Sequence, residues 1–306
     1  MKFLPKLFVS NTQACIFKLA GQDDLFFFDG QRRRKINTPI SLGHLKAIYP
    51  DLKTVEVDAE ALAKLEPGAP IPRRWYREAW IEPPQDFQSM REIIVSRLKG
   101  VGVEYGAGSR PAPVPVDVEI EYVEPFQSAE QYERMNFNED AVVPKYANTI
   151  EDQEPFEDES LDFIIASNVI EHTPNPIGAI AESYRTLKKG GQLVLMVPDK
   201  RFTFDGDRKL TTLDHLQNDY ENYQRENDLE HYLDYYQNVL HSKNVEPEAK
   251  IAFETGEDLH LHVWKPASFY KMCEHVIEHI APFKFFELKP RVLAKDCIEF
   301  YAVFHK

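Results

Sequence analysis

Residues 161–198 read LDFIIASNVIEHTPNPIGAIAESYRTLKKGGQLVLMVP, and this stretch decides the fold of the chain. Largely apolar runs at 161–166 and 193–197 predict two strands, and the segment between them has the apolar spacing of an amphipathic helix. A strand, a helix and a second strand that is apolar throughout indicate a parallel sheet with both faces covered. We therefore expect an α/β protein.

The helix between these two strands carries signals at both of its ends. Asn175 is the predicted N-cap, and Pro176 suits the first helical position because it lacks an N–H that would be unsatisfied there. Lys188 and Lys189 would face the negative end of the helix dipole, and Gly190 would end the helix in the left-handed conformation. These signals predict a helix that begins after Asn175 and stops at Gly190.

The same kind of pattern continues on either side. Residues 101–105 and 118–123 predict two further strands. After a helix predicted at 268–280, the strands predicted at 283–288 and 297–304 follow each other without an intervening helix, which indicates an antiparallel pair. The predicted fold is α/β: a Rossmann-like, mostly parallel sheet with helices on both faces and a C-terminal antiparallel hairpin.

Residues 1–85 are expected to form a separate small α+β unit, whose role the sequence does not indicate. Strand-like runs at 14–19 and 25–28 flank a glycine-containing turn and predict a hairpin. Residues 68–84 contain four of the 21 prolines of the chain and predict the connection between the units. The main domain is then expected at 86–306.

The composition excludes several classes of protein. The chain has 306 residues with 36 basic and 50 acidic side chains, and the resulting net charge of −14 argues against a nucleic-acid surface. Cys15, Cys273 and Cys297 are too few and too far apart for a disulfide framework or a thiolate zinc site. Pro5 and Lys6 interrupt the apolar core that a signal peptide needs, and no run approaches the ~18 apolar residues of a membrane span. We expect a cytoplasmic protein without nucleic-acid or membrane partners, and a homodimer stays open.

A nucleoside-binding pattern follows the first strand of the main domain. Gly106 and Gly108 come directly after that strand, where glycine permits positive φ angles and a close approach of the backbone to a ligand. Glu124 ends the next strand, at the position from which an acid accepts hydrogen bonds from a ribose diol. The pair predicts a cofactor that contains a nucleoside.

The prolines after the glycines decide which cofactor fits. A dinucleotide needs a helix N-terminus to hold its pyrophosphate, but Pro111, Pro113 and Pro115 forbid a regular helix there. The site therefore suits a nucleoside without phosphates, which points to S-adenosyl-L-methionine.

Four motifs together resemble the class I S-adenosylmethionine-dependent methyltransferases, in particular the type 11-like branch that modifies small molecules and glycans. They are EYGAG at 104–108, YVE at 122–124, PFEDESLDFIIASNVIEHTPNP at 155–176 and LKKGGQLVLMVPDK at 187–200. The similarity extends over about residues 92–306 and not over the N-terminal unit. It implies an enzyme that converts S-adenosyl-L-methionine to S-adenosyl-L-homocysteine.

The resemblance also implies the residues that hold the cofactor. They are Glu104, Gly106 and Gly108 on the methionine and ribose side, Glu124 at the ribose hydroxyls, Thr149, Ile150, Glu151 and Asp152 around the adenine, and Asn168 near the amino-acid end. One departure is that the proline-rich residues 109–116 replace the usual helix after the glycines. This departure leaves a catalytically silent module of the same fold as an alternative.

Methyl transfer to a hydroxyl also needs a group that removes the proton of the acceptor. The candidate bases are His172, His215, His231, His260 and His262, with Asp199 as the next choice. His172 is favoured because it follows a strand at its carboxyl end, where the sites of α/β proteins lie. A helix-capping role is the structural alternative for it.

His260 and His262 alternate in a strand-like stretch, so both imidazoles are expected to point to one face. With another histidine or an acid they could bind a metal. One structural and one surface histidine explain the pattern equally well, so the sequence assigns no metal.

Residues 200–258 are predicted to be an insertion at the carboxyl edge of the sheet. We expect this insertion to cap the substrate pocket. Arg201, Tyr220 and His260 are the predicted substrate-binding residues, because these side chains suit a polyhydroxylated ligand. An amphipathic helical pair with tyrosines in its core is the alternative for this region. The sequence thus predicts methylation of a hydroxyl of a sugar or glycan precursor, with N-methylation of a small metabolite as the runner-up.

Overall fold

The computed structural model describes residues 15–28, 32–36, 42, 52–67, 87–125, 141–222, 225–289, 291 and 297–306. The chain divides into two compact units, Met1–Ala79 and Trp80–Lys306. Within the described ranges, no helix is both long and apolar enough to cross a membrane.

The described part of the first unit contains a five-stranded sheet and the short helix α1. Its elements are β1 (Cys15–Leu19), β2 (Leu25–Phe28), β3 (Arg32–Ile36), β4 (Lys53–Val57), α1 (Ala59–Ala63) and β5 (Glu66–Pro67). The strand order is β4-β1-β2-β3-β5, and β1 and β2 form the predicted antiparallel hairpin. Asp58 caps α1 by accepting a hydrogen bond of 2.7 Å from the Ala61 N–H. Phe17, Phe28 and Leu62 pack in a common core.

The second unit is built on a seven-stranded sheet in the order β11-β12-β10-β9-β6-β7-β8. Its strands are β6 (Val101–Tyr105), β7 (Glu119–Glu124), β8 (Tyr146–Ala147), β9 (Leu161–Ser167), β10 (Leu187–Pro198), β11 (Phe285–Lys289) and β12 (Glu299–His305). Strands β6 to β10 pair in parallel with one another, whereas β12 is antiparallel to both β10 and β11. The predicted α/β fold and its C-terminal antiparallel hairpin are confirmed.

The helices described in this unit are α2 (Phe87–Val95), α3 (Pro176–Thr186), α4 (Leu213–Asn222), α5 (Leu229–Asn238), α6 (Val245–Thr255) and α7 (Pro266–His279). Short 3-10 helices lie at Lys200–Phe202, Phe204–Asp207 and Arg225–Asp228. The insertion at 200–258 therefore contains α4, α5 and α6, and α5 packs against α6 through a core that includes Tyr232, Ala249 and Ala252. The proline-rich residues 109–116 form no helix, as predicted.

Helix α3 begins as predicted but ends earlier. The Asn175 Oδ1 accepts a hydrogen bond of 2.8 Å from the Gly178 N–H, which confirms the N-cap. The prediction for the C-terminus is wrong, because β10 already begins at Leu187 and includes both lysines. Leu187 pairs with Leu161 of β9, and Lys188 forms an ion pair of 2.8 Å with Asp162. Pairing with the sheet thus outweighs the local preference for another helical turn.

The centre of the sheet is apolar and fully buried, as parallel strands covered on both faces require. Phe163, Ile165, Val194 and Met196 of the two central strands are all less than 1 % exposed. Strands β6, β7 and β9 therefore end at one rigid edge, and the loops that follow them lie side by side.

Candidate active site

The loop after β6 can be formed only with glycine at its first position. Gly106 has a φ of +67° and donates a hydrogen bond of 3.0 Å to the Val123 carbonyl oxygen. A Cβ at this position would lie 2.4 Å from the Val169 Cγ2 atom. Both the positive φ and the close approach thus exclude larger residues.

Glu124 at the end of β7 is held by the same loop. Its Oε1 atom accepts a hydrogen bond of 2.8 Å from the Gly108 N–H, and the residue is 3 % exposed. Burial raises the pKa of the Glu124 carboxyl, and the hydrogen bond from Gly108 opposes this effect. The carboxylate is therefore oriented before any ligand arrives.

A cavity of about 600 Å³ opens at this edge of the sheet. Seven of the predicted cofactor residues line it, namely Gly106, Gly108, Glu124, Thr149, Ile150, Glu151 and Asn168. We call these seven residues the cofactor wall. Asp152, which was also predicted, does not line the cavity.

Glu104 lies outside the cavity lining. Its side chain is 0 % exposed, and both carboxylate oxygens lie 3.0 Å from the Ala112 nitrogen, whose N–H they accept. Burial raises the pKa of Glu104 to about 7. The residue holds the proline-rich segment after the glycine loop, which is a contact that the family motif does not reveal.

Asn168 lines the cavity in a left-handed backbone conformation. It has a φ of +53°, and its backbone N–H donates a hydrogen bond of 2.9 Å to the Met196 carbonyl oxygen. Its side-chain Oδ1 atom is buried and has no hydrogen-bond partner among the residues that the structure describes. A buried acceptor of this kind needs a ligand or a water molecule as its partner.

These features fit S-adenosyl-L-methionine. The glycines leave room for a close approach, Glu124 offers a fixed acceptor for ribose hydroxyls, and Asn168 lines the same cavity. The cavity volume also lies within the roughly 300–1,000 Å³ that is usual for cofactor and small-molecule sites.

The opposite part of the cavity lining comes from the insertion and the residues just after it. We call these residues the acceptor wall: Arg225, Asp228, Tyr232, Glu257 and Asp258. Sequence analysis predicted a contribution from the insertion but named other residues in it. Their only common signal is their position in a segment rich in charged and aromatic residues.

His172 connects the two walls. It lines the cavity, and its Nδ1 atom lies 2.7 Å from the Asp258 Oδ1 atom. Burial lowers the pKa of His172, but the hydrogen bond to Asp258 and the nearby charge of Glu171 outweigh burial and raise it to about 8. The predicted base is thus oriented by a carboxylate that sequence analysis missed.

Glu171 lies beneath this pair. It is 1 % exposed, and its Oε1 atom is 3.9 Å from the His172 Nε2 atom and 3.8 Å from the His260 Nε2 atom. Neither carboxylate oxygen has a hydrogen-bond partner in the described part of the chain. His260 is held from its other nitrogen by Asp205, at 2.7 Å. The motif that contains His172 therefore brings a second ionisable group to the site.

The remaining predicted site residues lie away from the cavity lining. Asp199 is 0 % exposed and accepts a hydrogen bond of 2.9 Å from the Arg201 Nε atom, so these two residues pair with each other. Tyr220 is 40 % exposed on α4. His215 and His262 contribute to a separate cluster with His231.

The expectation that His260 and His262 share a face is wrong. Residues 259–263 belong to no strand among the described elements, so the alternation rule for strands does not apply. The Leu261 and His262 N–H groups both donate to the Glu171 carbonyl oxygen, at 2.7 and 3.0 Å. As a result His260 joins Glu171, whereas His262 joins the separate histidine cluster.

Comparisons with known proteins agree with this site. A family model described as a methyltransferase domain matches residues 101–195. No curated protein matches the sequence.

Three solved structures are similar to this chain. An S-adenosylmethionine-dependent methyltransferase from Thermotoga maritima, described as a possible histamine N-methyltransferase, is 18% identical over 72% of this chain and 86% of its own, with a TM-score of 0.40. A protein from Methanococcus maripaludis, described as an S-adenosylmethionine-dependent methyltransferase, is 14% identical over 72% and 84%, with a TM-score of 0.37. A protein from Listeria monocytogenes with the same description is 11% identical over 71% and 95%, with a TM-score of 0.40.

The matched domain begins with β6 and ends within β10, so it contains the glycine loop, Glu124 and His172. The residues that fit the cofactor and the residues that match the family are therefore the same part of the chain. Residues 101–195 of this chain thus match a methyltransferase domain.

Proposed function

We propose that the enzyme transfers a methyl group to a hydroxyl of a small, polyhydroxylated acceptor such as a sugar or glycan precursor. The observation that carries the proposal is the pair formed by His172 and Asp258, whose ring nitrogen and carboxylate oxygen are 2.7 Å apart at the cavity lining. A histidine that is oriented by a carboxylate is the usual arrangement for removing a proton from a hydroxyl.

The cofactor wall would hold S-adenosyl-L-methionine, which supplies an electrophilic methyl group on a sulfonium. Glu124 would accept hydrogen bonds from the ribose hydroxyls, since the Gly108 N–H already fixes its carboxylate. Ile150 and Glu151 would flank the adenine, and Asn168 would meet the amino-acid end. Because these groups are rigid, they would orient the methyl group for in-line attack.

His172 would then accept the proton of the acceptor hydroxyl. Asp258 keeps one proton on Nδ1, so Nε2 carries the lone pair of the neutral ring. Glu171, 3.9 Å from Nε2, would stabilise the imidazolium that forms. A pKa of about 8 makes His172 a stronger base than an ordinary histidine, although only its neutral fraction is active.

The acceptor wall suits a ligand with many hydroxyl groups. Arg225 can donate hydrogen bonds and Glu257 can accept them, while Tyr232 offers an aromatic ring. The Tyr232 hydroxyl donates to the Glu257 carbonyl oxygen at 2.8 Å, which fixes the ring. Such a mixture supports binding of a sugar through hydrogen bonds and stacking.

An amine acceptor is the second candidate, because carboxylates are numerous in the cavity. Glu151, Asp228, Glu257 and Asp258 all line it, against one arginine among the described lining residues. This excess of negative charge favours a cationic ligand. The product would then be an N-methylated small metabolite.

An acceptor screen tests the proposal. The full chain is incubated with S-adenosyl-L-methionine and with matched sets of sugars, nucleotide sugars and small amines, and the formation of S-adenosyl-L-homocysteine is measured. We expect turnover with a hydroxyl acceptor and an O-methyl signal in the NMR spectrum of the product. Turnover with amines only would favour the second candidate. Tight cofactor binding without turnover on any acceptor would contradict both and favour a catalytically silent module.

A further inference from the structure

A second group of ionisable side chains lies beside the cavity but does not line it. It consists of His215 and Asp219 on α4, His231 on α5 and His262 in the segment before α7, and we call it the His3Asp cluster. One donor atom from each residue lies within 4.8 Å of the donor atoms of the other three. Three imidazoles and one carboxylate thus converge from three separate elements.

The distances in the cluster match the size of a metal site. The His215 Nε2 atom is 3.1 Å from the His231 Nε2 atom and 3.1 Å from the Asp219 Oδ2 atom. Two ligand atoms on a tetrahedral Zn²⁺ ion lie about 3.3 Å apart, because each Zn–N bond is about 2.0–2.1 Å long. The His262 ring borders the same group, since its Nε2 atom lies 4.0 Å from the Asp219 Oδ2 atom.

One polar atom in the cluster has no hydrogen-bond partner among the described residues. It is the Nδ1 atom of His262, whose side chain is 0 % exposed. The Asp219 side chain is 4 % exposed, and its Oδ2 atom is paired with the His215 Nε2 atom at 3.1 Å. Native proteins rarely leave a buried atom such as His262 Nδ1 unsatisfied, and a bound ion is one of the usual reasons for it.

The other nitrogen of His262 is already engaged. Its Nε2 atom lies 3.3 Å from the Pro174 carbonyl oxygen, which can accept the ring N–H. A metal-bound histidine commonly donates its second N–H to a backbone carbonyl, and this contact fixes the orientation of the ring.

We propose that the His3Asp cluster binds one divalent transition-metal ion of the zinc class, with four protein ligands in a tetrahedral arrangement. Imidazole ligands suit Zn²⁺ and disfavour Mg²⁺ and Ca²⁺, which prefer oxygen. Four protein ligands leave no open position, which is typical of a structural site. The ion therefore takes no part in methyl transfer.

The position of the cluster indicates what the ion stabilises. His231 directly precedes Tyr232 and His262 directly follows Leu261, and both of these neighbours line the cavity. Pro174, which contacts His262, also lines it. The ion thus ties α4 and α5 to the loop that carries His172 and holds the acceptor wall in place.

Metal titration of the full chain tests the proposal without reference to turnover. The protein is dialysed against a chelator, and Zn²⁺ or Co²⁺ is then added at pH 7.5. We expect one ion per chain, a higher melting temperature with Zn²⁺, and the intense visible absorption of tetrahedral Co²⁺. No binding to the chelated wild type, or the weak absorption of octahedral Co²⁺, would overturn the proposal.

Variants distinguish this cluster from its neighbour. His231→Ala and Asp219→Asn should weaken Zn²⁺ binding by at least about 100-fold, because each removes a ligand. His279→Ala, an exposed histidine on α7, is the matched control and should leave it unchanged. Loss of binding in His260→Ala with binding retained in His231→Ala would assign the ion to the group of Glu171, His172 and His260 and refute the His3Asp site. If His231→Ala does not fold, Asp219→Asn and the wild-type titration still decide whether the His3Asp cluster binds the ion.

Discussion

The cofactor wall and the acceptor wall of the same cavity are built in different ways. The cofactor wall follows consecutive parallel strands, and backbone groups orient its polar atoms, as Gly108 does for Glu124. The acceptor wall comes from an insertion between β10 and α7, and side-chain contacts orient it, as between Asp258 and His172. Backbone groups thus orient one wall, whereas contacts between distant side chains orient the other.

This difference indicates that the two functions can be separated by mutation. A substitution on the acceptor wall should impair acceptor binding and removal of the acceptor's proton, while the cofactor still binds. A change on the cofactor wall should weaken cofactor binding, while the ionisable groups of the acceptor wall keep their positions. His172 is the residue at which the two walls meet.

The largest effect is expected for His172→Ala. Turnover at saturating acceptor should fall by roughly 10²- to 10⁴-fold, the usual contribution of general base catalysis, because no other imidazole lines the cavity in the described ranges. The affinity for S-adenosyl-L-homocysteine should stay within about twofold, since the cofactor wall is intact. Steady-state kinetics and calorimetry on the same preparation measure both quantities, and His279→Ala serves as the control. Unchanged turnover would remove His172 from the mechanism.

The pH dependence of turnover should also follow the ionisation of His172. His172 acts as a base only when it is neutral, so turnover should rise about tenfold per pH unit below its pKa of about 8 and level off above it. Asp258→Asn removes the hydrogen-bonded charge that raises this pKa and should therefore move the plateau to lower pH. A profile that is flat from pH 6 to 9, or that does not move in the variant, would separate the pair from catalysis.

Sequence analysis succeeded where the structure is locally determined. The glycine loop, Glu124 and the N-cap at Asn175 each depend on a short segment and its strand or helix, and the structure contains all three features. Sequence analysis failed where contacts between distant segments determine the structure. The last turn of α3 is lost to the pairing of Leu187 with Leu161, which lies in another strand.

The histidines show the same limit more clearly. His260 and His262 are two positions apart in the chain, yet tertiary packing assigns them to different clusters. Asp258 was missed for a similar reason, because its contact with His172 spans 86 positions. Such contacts cannot be deduced from residue spacing in one sequence.

A smaller effect is expected for Glu104→Gln, which tests the support behind the cofactor wall. Burial raises the pKa of Glu104 to about 7, above its unfolded value of about 4.3. For an acid this shift means that stability is lost as the pH rises from about 4.3 to about 7, since the unfolded chain ionises first. The glutamine variant stays neutral and can still accept a hydrogen bond from the Ala112 N–H, so it should lose less stability over this range, by about 3–4 kcal/mol.

Thermal melting at pH 5 and pH 8 measures this difference. Cofactor affinity should not change in Glu104→Gln, because the residue lies outside the cavity lining. A loss of affinity as large as that expected for Glu124 would instead place Glu104 in contact with the cofactor.

The central claim is that the glycine loop and Glu124 form the cofactor site, and calorimetry on Glu124→Gln tests it most directly. The substitution keeps an oxygen that can accept the hydrogen bond from the Gly108 N–H. It removes the negative charge that would strengthen the hydrogen bonds from the ribose hydroxyls. We predict that S-adenosyl-L-homocysteine binds about 10- to 100-fold more weakly, while the melting temperature stays within about 2 °C. Glu121→Gln, on the same strand and paired with Lys145 away from the cavity, should bind like the wild type. Unchanged affinity in Glu124→Gln together with a lowered melting temperature would contradict the claim and make Glu124 a structural residue.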